Sequence, residues 1–129
     1  MFLTLHDLLT SAVSPLNNAI VISITLKNYN VEFHMMPSLH LEIVEYWELL
    51  DQTGKQIDQA IASQNRRDFY LFKLISKKVT GCEKFQNKFE VKFEEGWTFV
   101  MHFDPKAQID KREMERRQVF GAGADVLPT

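Results

Sequence analysis

The sequence predicts an α+β fold: an antiparallel sheet or partial barrel of about six to eight strands, with two or three helices packed on it. Three observations predict it. Several short segments alternate apolar and polar side chains with a period of two, as strands do. Turn residues separate these segments at hairpin spacing. Between them lie segments whose apolar residues recur at helical spacing, as in "TLHDLLTSAV" and "FYLFKLISK".

The first predicted helix covers residues 4–13, with Thr4 as its N-cap. The strand that follows is rich in β-branched residues, and its predicted inner face consists of Ile20, Ile22, Ile24 and Leu26. A four-residue loop, Lys27 to Asn30, returns the chain into a second strand. This loop length sets Leu26 opposite Val31 and Ile24 opposite Phe33, which keeps the apolar faces together.

Residues 41–61 fit two structures. As a helix, they align an apolar stripe that includes Gly54. As a hairpin, "WELL" and "KQID" flank Asp51-Gln52-Thr53-Gly54, a turn in which glycine can adopt a positive φ. Glycine inside a helix costs about 1 kcal/mol relative to alanine, so the hairpin is favoured. A short helix from Thr53, whose spacing to Gln56 fits a capping box, is the alternative.

The second half begins with a helical segment in which Leu71, Leu74 and Ile75 share a face, and a strand follows it. Asp104-Pro105 then predicts the start of a charged helix, with Asp as cap and Pro at the first helical position. Residues 121–129 are predicted to be a flexible tail after a single globular domain at 1–120.

The segment "KFEVKFEEGWTFVMHF" predicts a hairpin rather than an RNA-binding platform. Its "GWTFVMH" is close to the RNA-reading strand of RRM domains. A three-residue loop, Glu94 to Gly96, pairs Val91 with Phe99 and Phe89 with Met101. All the large apolar side chains then share one face, opposite Lys88, Glu90 and Lys92. Exposing the aromatics would bury these charges, which is prohibitively costly.

A faint internal duplication accompanies these elements. "LHDLLTSAVS" and "LFKLISKKVT" share a pattern at an offset of 66, and His34 and His102 lie 68 residues apart. The predicted repeats, 4–36 and 70–104, would each form a helix, a strand and a hairpin. Such a repeat suits a pseudo-symmetric antiparallel sheet with helices on one face.

Composition excludes several classes of protein. The net charge of −2 indicates neither nucleic acid nor a membrane surface as a partner, and no apolar run is long enough to span a bilayer. The single cysteine excludes an internal disulfide framework and favours the cytoplasm. The charge is uneven: residues 1–58 have two basic and seven acidic side chains, a net of −5, and residues 59–129 have thirteen and ten, a net of +3.

Candidate metal ligands form two pairs, His40 with Glu42 and His102 with Asp104. Each pair is two residues apart, so on a strand both groups project to one side. Together with His34 they offer nitrogen and oxygen ligands suited to Zn or Fe, and a metal-dependent enzyme using His34, His40 and His102 is one hypothesis. Solvent-exposed side chains are the alternative, and no cofactor is predicted.

Other candidate sites are weaker. Cys82 with a histidine is a conceivable nucleophile, but it lies in a predicted strand, where a lone cysteine is usually a small buried hydrophobe. A ligand pocket between sheet and helices is an alternative, and its predicted lining is Trp47, Tyr70, Phe72 and Trp97.

The leading hypothesis is a non-catalytic protein-interaction domain: an adaptor, an inhibitor or an immunity-like protein of bacterial type. It depends on the absence of catalytic motifs, on the uneven charge, and on Tyr29, Tyr46 and Trp47 as potential surface anchors. The expected partner is another protein or a second copy of the chain, as a homodimer.

Overall fold

The computed structural model describes residues 1–12, 14–27, 30–60 and 69–104. This part of the chain is mostly β, with two sheets that face each other across one core. Its strands are β1 (Phe2–Thr4), β2 (Ile20–Leu26), β3 (Val31–Met36), β4 (Leu39–Ile43), β5 (Trp47–Leu50), β6 (Gln56–Gln59), β7 (Val79–Lys84), β8 (Lys88–Phe93) and β9 (Thr98–His102).

The α+β prediction of two or three packed helices is therefore wrong. The described residues hold one α-helix, α1 (Leu5–Thr10), and two short 3-10 turns, Tyr70–Leu74 and Glu94–Gly96. In place of the second predicted helix, the chain forms the five-residue turn Tyr70–Leu74, of which only Leu71 and Leu74 are buried. A spacing of three suits the tighter 3-10 turn, and a segment this short is marginal as an α-helix. The predicted helix after Asp104 and the tail at 121–129 lie outside the described residues.

Helix α1 starts where the sequence predicts. The Thr4 side chain accepts a hydrogen bond from the Asp7 amide at 3.5 Å, and the Asp7 carboxylate accepts one from the Thr4 amide at 2.8 Å. This reciprocal capping box satisfies two backbone donors that a helix start otherwise leaves unpaired. The helix ends at Thr10, short of the predicted Val13.

The first sheet has the order β1-β4-β3-β2, with β1 parallel to β4 and the other pairs antiparallel. The predicted register of its first hairpin is confirmed, since Leu26 pairs with Val31 and Ile24 with Phe33. A bulge between Val21 and Ser23 shifts the phase of β2, however. Ile22 is consequently exposed, whereas the sequence pattern predicted it on the inner face.

The second sheet has the order β6-β5-β9-β8-β7, and all its pairs are antiparallel. Both hairpins predicted here are confirmed. In the first, Gly54 has φ 86° and its amide donates to the Asp51 carbonyl at 3.0 Å. In the second, Val91 pairs with Phe99 and Phe89 with Met101, and these four side chains are buried.

The core lies between the two inner faces. Phe33 of the first sheet meets Phe99 of the second edge-on, with ring centroids 5.0 Å apart, and Trp47 stacks on Phe99 at 5.5 Å. Aromatic pairs of this geometry contribute about 0.5–1.5 kcal/mol beyond the burial of their area. Of the aromatic residues in "GWTFVMHF", Phe99 thus lies in the core, and Trp97 and Phe103 are partly buried against it, on the face that the strand phase predicts.

Two three-stranded meanders, β2-β3-β4 and β7-β8-β9, are equivalent at a constant offset. Phe33 pairs with Leu41 as Val91 pairs with Phe99, an offset of 58 on both strands (91 − 33 and 99 − 41). The bulges coincide as well, because the shift between Val21 and Ser23 matches that between Val79 and Gly81. The offsets of 66 and 68 that the sequence indicates do not relate these strands: His34 is equivalent to Lys92, not to His102.

A seam joins the two meanders around an approximate two-fold axis. Ile20 forms an antiparallel bridge with Lys78, its own equivalent at the offset of 58. Four backbone hydrogen bonds flank this bridge, and the axis relates them in two pairs. In the first pair, the Val21 amide donates to the Lys77 carbonyl and the Val79 amide donates to the Ala19 carbonyl. In the second pair, the Asn18 amide donates to the Val79 carbonyl and the Ser76 amide donates to the Val21 carbonyl. Even the backbone conformation repeats, since Asn18 (φ 67°) and Ser76 (φ 76°) are both left-handed.

Candidate functional site

A row of three rings crosses the outer face of the first sheet. Strand register places Phe2 beside His40 and His40 beside His34. The Phe2 and His40 rings stack at 4.1 Å, and the His34 ring meets His40 edge-on at 4.3 Å. The three side chains thus form a continuous aromatic strip across β1, β4 and β3.

Two exposed apolar side chains extend this strip. Ile22 and Met36 are each 53% exposed, and Phe2 is 67% exposed. We call Phe2, Ile22, His34, Met36 and His40 the apolar band. The bulge in β2 is responsible for part of it, because the extra residue turns Ile22 outward. The sequence pattern places Ile22 on the inner face for this reason, since a bulge leaves no mark on simple alternation.

A row of acidic side chains runs beside the apolar band. Glu32 and Glu42 pair across β3 and β4, one step along the strands from His34 and His40. Lys27 Nζ lies 2.9 Å from Glu32, and the hydrogen bond it donates holds the pKa of that carboxyl below its ordinary value. Glu42 accepts a hydrogen bond from the Asn30 side-chain amide at 3.3 Å. We call these two glutamates the acidic row.

The His40 imidazole is oriented by its neighbours rather than by a hydrogen bond. Its Nε2 lies 3.3 Å from Glu32 Oε2, yet that buried nitrogen has no hydrogen-bond partner of acceptable geometry. Its contact with the Glu32 carboxylate and the stacked Phe2 ring hold it in place. The His40 ring is therefore a fixed part of this sheet face, in contact with the Phe2 ring and with the His34 ring.

The candidate metal ligands do not all meet. His34, His40 and Glu42 share the outer face of the first sheet, whereas His102 and Asp104 belong to the end of β9 in the second. The His34 and His40 rings lie at 85° to each other. Within the described ranges, no group of three or more His, Cys, Asp or Glu side chains has an arrangement that could hold a metal ion.

His102 instead contacts Glu48 of the neighbouring strand β5, at 2.5 Å from Nε2 to Oε2. Burial raises the pKa of Glu48, but hydrogen bonds from His102 and Gln56 outweigh it and leave that pKa below its ordinary value. An open cleft of about 590 Å³ lies alongside, lined by Asn87, His102, Phe103 and Asp104.

The predicted surface anchors have separate environments. Tyr29 lies outside the described residues. Tyr46 is exposed, and its hydroxyl donates to Gln59 Oε1 at 2.9 Å. Trp47 is only 4% exposed and stacks on Phe99, so its side chain belongs to the core.

The residues of the predicted ligand pocket are likewise dispersed. Trp47 is buried and Trp97 half-buried, whereas Tyr70 and Phe72 are exposed on the turn before β7. Cys82 is half-buried, with the Ser14 hydroxyl 3.2 Å from its sulfur. Burial raises the pKa of the Cys82 thiol, which disfavours the nucleophilic thiolate.

The outer face of the second sheet carries ion pairs. Lys88 and Lys92 lie 3.1 and 3.5 Å from the two carboxylate oxygens of Glu90. Val100, which the strand phase predicts on this face, is nevertheless buried, with Glu48 and Glu90 as its cross-strand neighbours. The outer face of the second sheet is therefore charged, whereas the outer face of the first sheet carries the apolar band.

The offset of 58 allows the two outer faces to be compared position by position. Four members of the apolar band have equivalents in the second meander: Ile22 with Thr80, His34 with Lys92, Met36 with Glu94, and His40 with Thr98. Each equivalent is polar or charged, and each is exposed or half-buried. The same backbone positions thus accept polar residues without loss of the meander.

Comparison of the chain with protein-family models, with curated proteins and with solved structures finds no match. Among the helices of the described residues, none has the length and apolar character needed to cross a membrane.

Proposed function

We propose that the chain is a non-catalytic protein-interaction domain that contacts its partner through the apolar band. The exposed band itself is the observation that carries this proposal. Phe2, Ile22 and Met36 each expose more than half of their surface, and a cluster of exposed apolar side chains on one face is often a functional surface.

The second meander supports the proposal as an internal comparison. Thr80 and Glu94 occupy the positions of Ile22 and Met36 in an equivalent meander. The fold therefore does not require apolar side chains there, and exposing them to water is unfavourable. A binding role accounts for residues that folding does not need.

The groups that the sequence offers for chemistry support a non-catalytic role. His102 is engaged by Glu48, and the raised pKa of Cys82 disfavours its nucleophilic form. His40 is stacked against Phe2 and has its Nε2 buried. These contacts are typical of structural side chains.

The first prediction tests the band by affinity capture from cells of the native host. The double variant Ile22→Thr/Met36→Glu carries the residues of the equivalent positions, so we expect it to fold. It should lose the proteins that the wild-type chain captures, because polar side chains remove the apolar contact. Quantitative mass spectrometry of the captured proteins is the measurement.

The matched control is Thr80→Ser/Thr98→Ser, which alters the equivalent face and should capture as the wild type does. Circular dichroism verifies that all variants are folded. Equal capture by the wild type and the band variant would refute a binding role for this face. Native mass spectrometry of the purified chain tests the predicted homodimer in the same series.

A further inference from the structure

We infer that the partner presents an apolar side chain with a lysine or arginine beside it, the apolar group covering the apolar band and the cation meeting Glu42. This inference rests on the proposed function and specifies the chemistry of the partner. It derives from the relative positions of the apolar band and the acidic row on one sheet face.

The spacing of the two rows sets the spacing of the partner's groups. His40 and Glu42 are two residues apart on β4, and both project from the outer face. Two residues along a strand span about 7 Å. A partner matches this distance with residues two apart on a strand, or three to four apart on a helix, where side chains lie about 5–6 Å apart.

Glu42 is the member of the acidic row that is open to a cation. Glu32 is 8% exposed and already lies close to Lys27 and His40. Glu42 is half-buried and accepts a hydrogen bond from the neutral amide of Asn30, and the charge of Lys27, whose ammonium lies against Glu32, also acts on it. An incoming lysine or arginine would add the attraction of an opposite charge, and arginine can pair with a carboxylate through two hydrogen bonds.

The charge of the part of the chain that contains the first sheet favours the same partner. Residues 1–46 hold one basic side chain, Lys27, and four acidic ones, a net of −3. Such an excess attracts a basic surface and accelerates its encounter. A second copy docked face to face would bring two such acidic surfaces together, which disfavours self-association through this face.

The test uses the protein captured by the full-length wild-type chain, identified by mass spectrometry and purified. Its affinity is measured for the wild type, Glu42→Gln, Glu42→Lys and the control Glu83→Lys. Glu83 lies on the second sheet with its side chain 54% exposed, so its reversal makes the same change in net charge away from the band.

We expect Glu42→Gln to weaken binding several-fold and Glu42→Lys to weaken it by tenfold or more, with Glu83→Lys close to the wild type. Raising the salt from about 0.1 M to about 1 M shortens the Debye length from about 10 Å to about 3 Å and should reduce the difference between wild type and Glu42→Lys.

The outcomes separate this inference from the proposed function. If Ile22→Thr/Met36→Glu abolishes capture while Glu42→Lys binds as the wild type does, the basic partner is excluded and the band remains the binding surface. If the captured protein is another copy of the chain, the inferred partner is wrong. If no protein is captured, or if neither set of variants changes capture, the proposed function itself fails.

Discussion

Glu48 of β5 and His102 of β9 form a side-chain pair, with 2.5 Å between carboxylate and imidazole. The sequence places His102 on the outer face of its hairpin, which is correct, but it offers only Asp104 as a nearby acid. Glu48 is 54 residues away, and the pairing of β5 with β9 brings it to His102. The partner of a surface histidine thus depends on long-range strand order.

This pair predicts how stability changes in acid. The pKa of Glu48 is lowered in the folded protein, so its contribution to stability is present above the ordinary glutamate pKa of 4.5 and is lost as the pH falls through the folded value. We expect Glu48→Gln to lower the free energy of unfolding by about 1 kcal/mol at neutral pH. Between neutral and acidic pH, the free energy of unfolding of this variant should fall by less than that of the wild type.

Urea unfolding across this pH range provides the measurement. His102→Ala should reduce the acid sensitivity in the same direction, and the double variant should lose little more than either single one, because both remove the same contact. Parallel pH profiles for the wild type and Glu48→Gln would show that the pair does not stabilise the fold.

The burial of Trp47 shows that residue type alone is a poor guide to whether a side chain lies in the core or on the surface. An aromatic residue beside Glu45 and Glu48 has the composition of a surface anchor, yet it lies in phase with Leu49, and both side chains are buried. The alternation along the strand decides which face of the sheet the Trp47 side chain occupies, and "WELL" shows this alternation in the sequence if the segment forms a hairpin. Ile22 has no such signal, since the bulge that exposes it follows from pairing with β3.

Turns are the elements that the sequence predicts best. Two turn glycines allow the cost of backbone strain to be separated from the cost of a steric clash. Gly54 and Gly96 have nearly the same φ, 86° and 87°. A Cβ at Gly54 meets nothing within 4 Å, whereas at Gly96 it would lie 2.9 Å from Gln52 Cγ. Gly54→Ala therefore measures backbone strain, and Gly96→Ala measures strain plus a clash.

We expect Gly54→Ala to lower the free energy of unfolding by about 1–2 kcal/mol and Gly96→Ala to lower it by more. Adding Gln52→Ala to Gly96→Ala should recover part of the difference, because it removes Cγ. Denaturant unfolding gives both values. An equal loss for the two single variants would mean that Gln52 moves aside without cost.

The strands that the sequence missed are those without local partners. β1 is three residues long and pairs with β4, whose residues lie 38 positions further along the chain (Phe2 with His40). β4 itself alternates as "LHLEI" but overlaps a segment that also fits a helical stripe. Hairpins are predictable because their pairing is local, whereas β1 and the order of the second sheet are not.

The approximate two-fold axis is the main feature of the whole molecule that the sequence conceals. In the paired strands the two meanders share identical residues only at Val21 with Val79 and Glu32 with Glu90. The remaining positions conserve only which face is buried, and any strand pair shares that pattern. The stronger sequence similarity, at an offset of 66, covers helical segments that differ in structure.

This axis predicts an exchange between equivalent positions. Asn18 and Ser76 are both left-handed, and asparagine tolerates that conformation better than serine. Ser76→Asn should therefore raise the free energy of unfolding by about 0.5 kcal/mol, and the reverse change Asn18→Ser should lower it by a similar amount. Thermal unfolding with Ser38→Asn as a control measures this, and a destabilised Ser76→Asn would contradict the equivalence.

Two edge strands of the described sheets, β1 and β6, carry features that disfavour pairing with a further strand. β6 turns a carboxylate inward, because Asp58 is 4% exposed and accepts a hydrogen bond from the Leu71 amide at 2.8 Å. The Gln59 amide also donates to Asp58, and at β1 the Thr4 amide donates to Asp7. Short edge strands with inward charges and side-chain-capped amides are poor templates for an added strand. We therefore expect β1 and β6 to resist the addition of a strand from another chain, which makes edge-to-edge association through these two strands unfavourable.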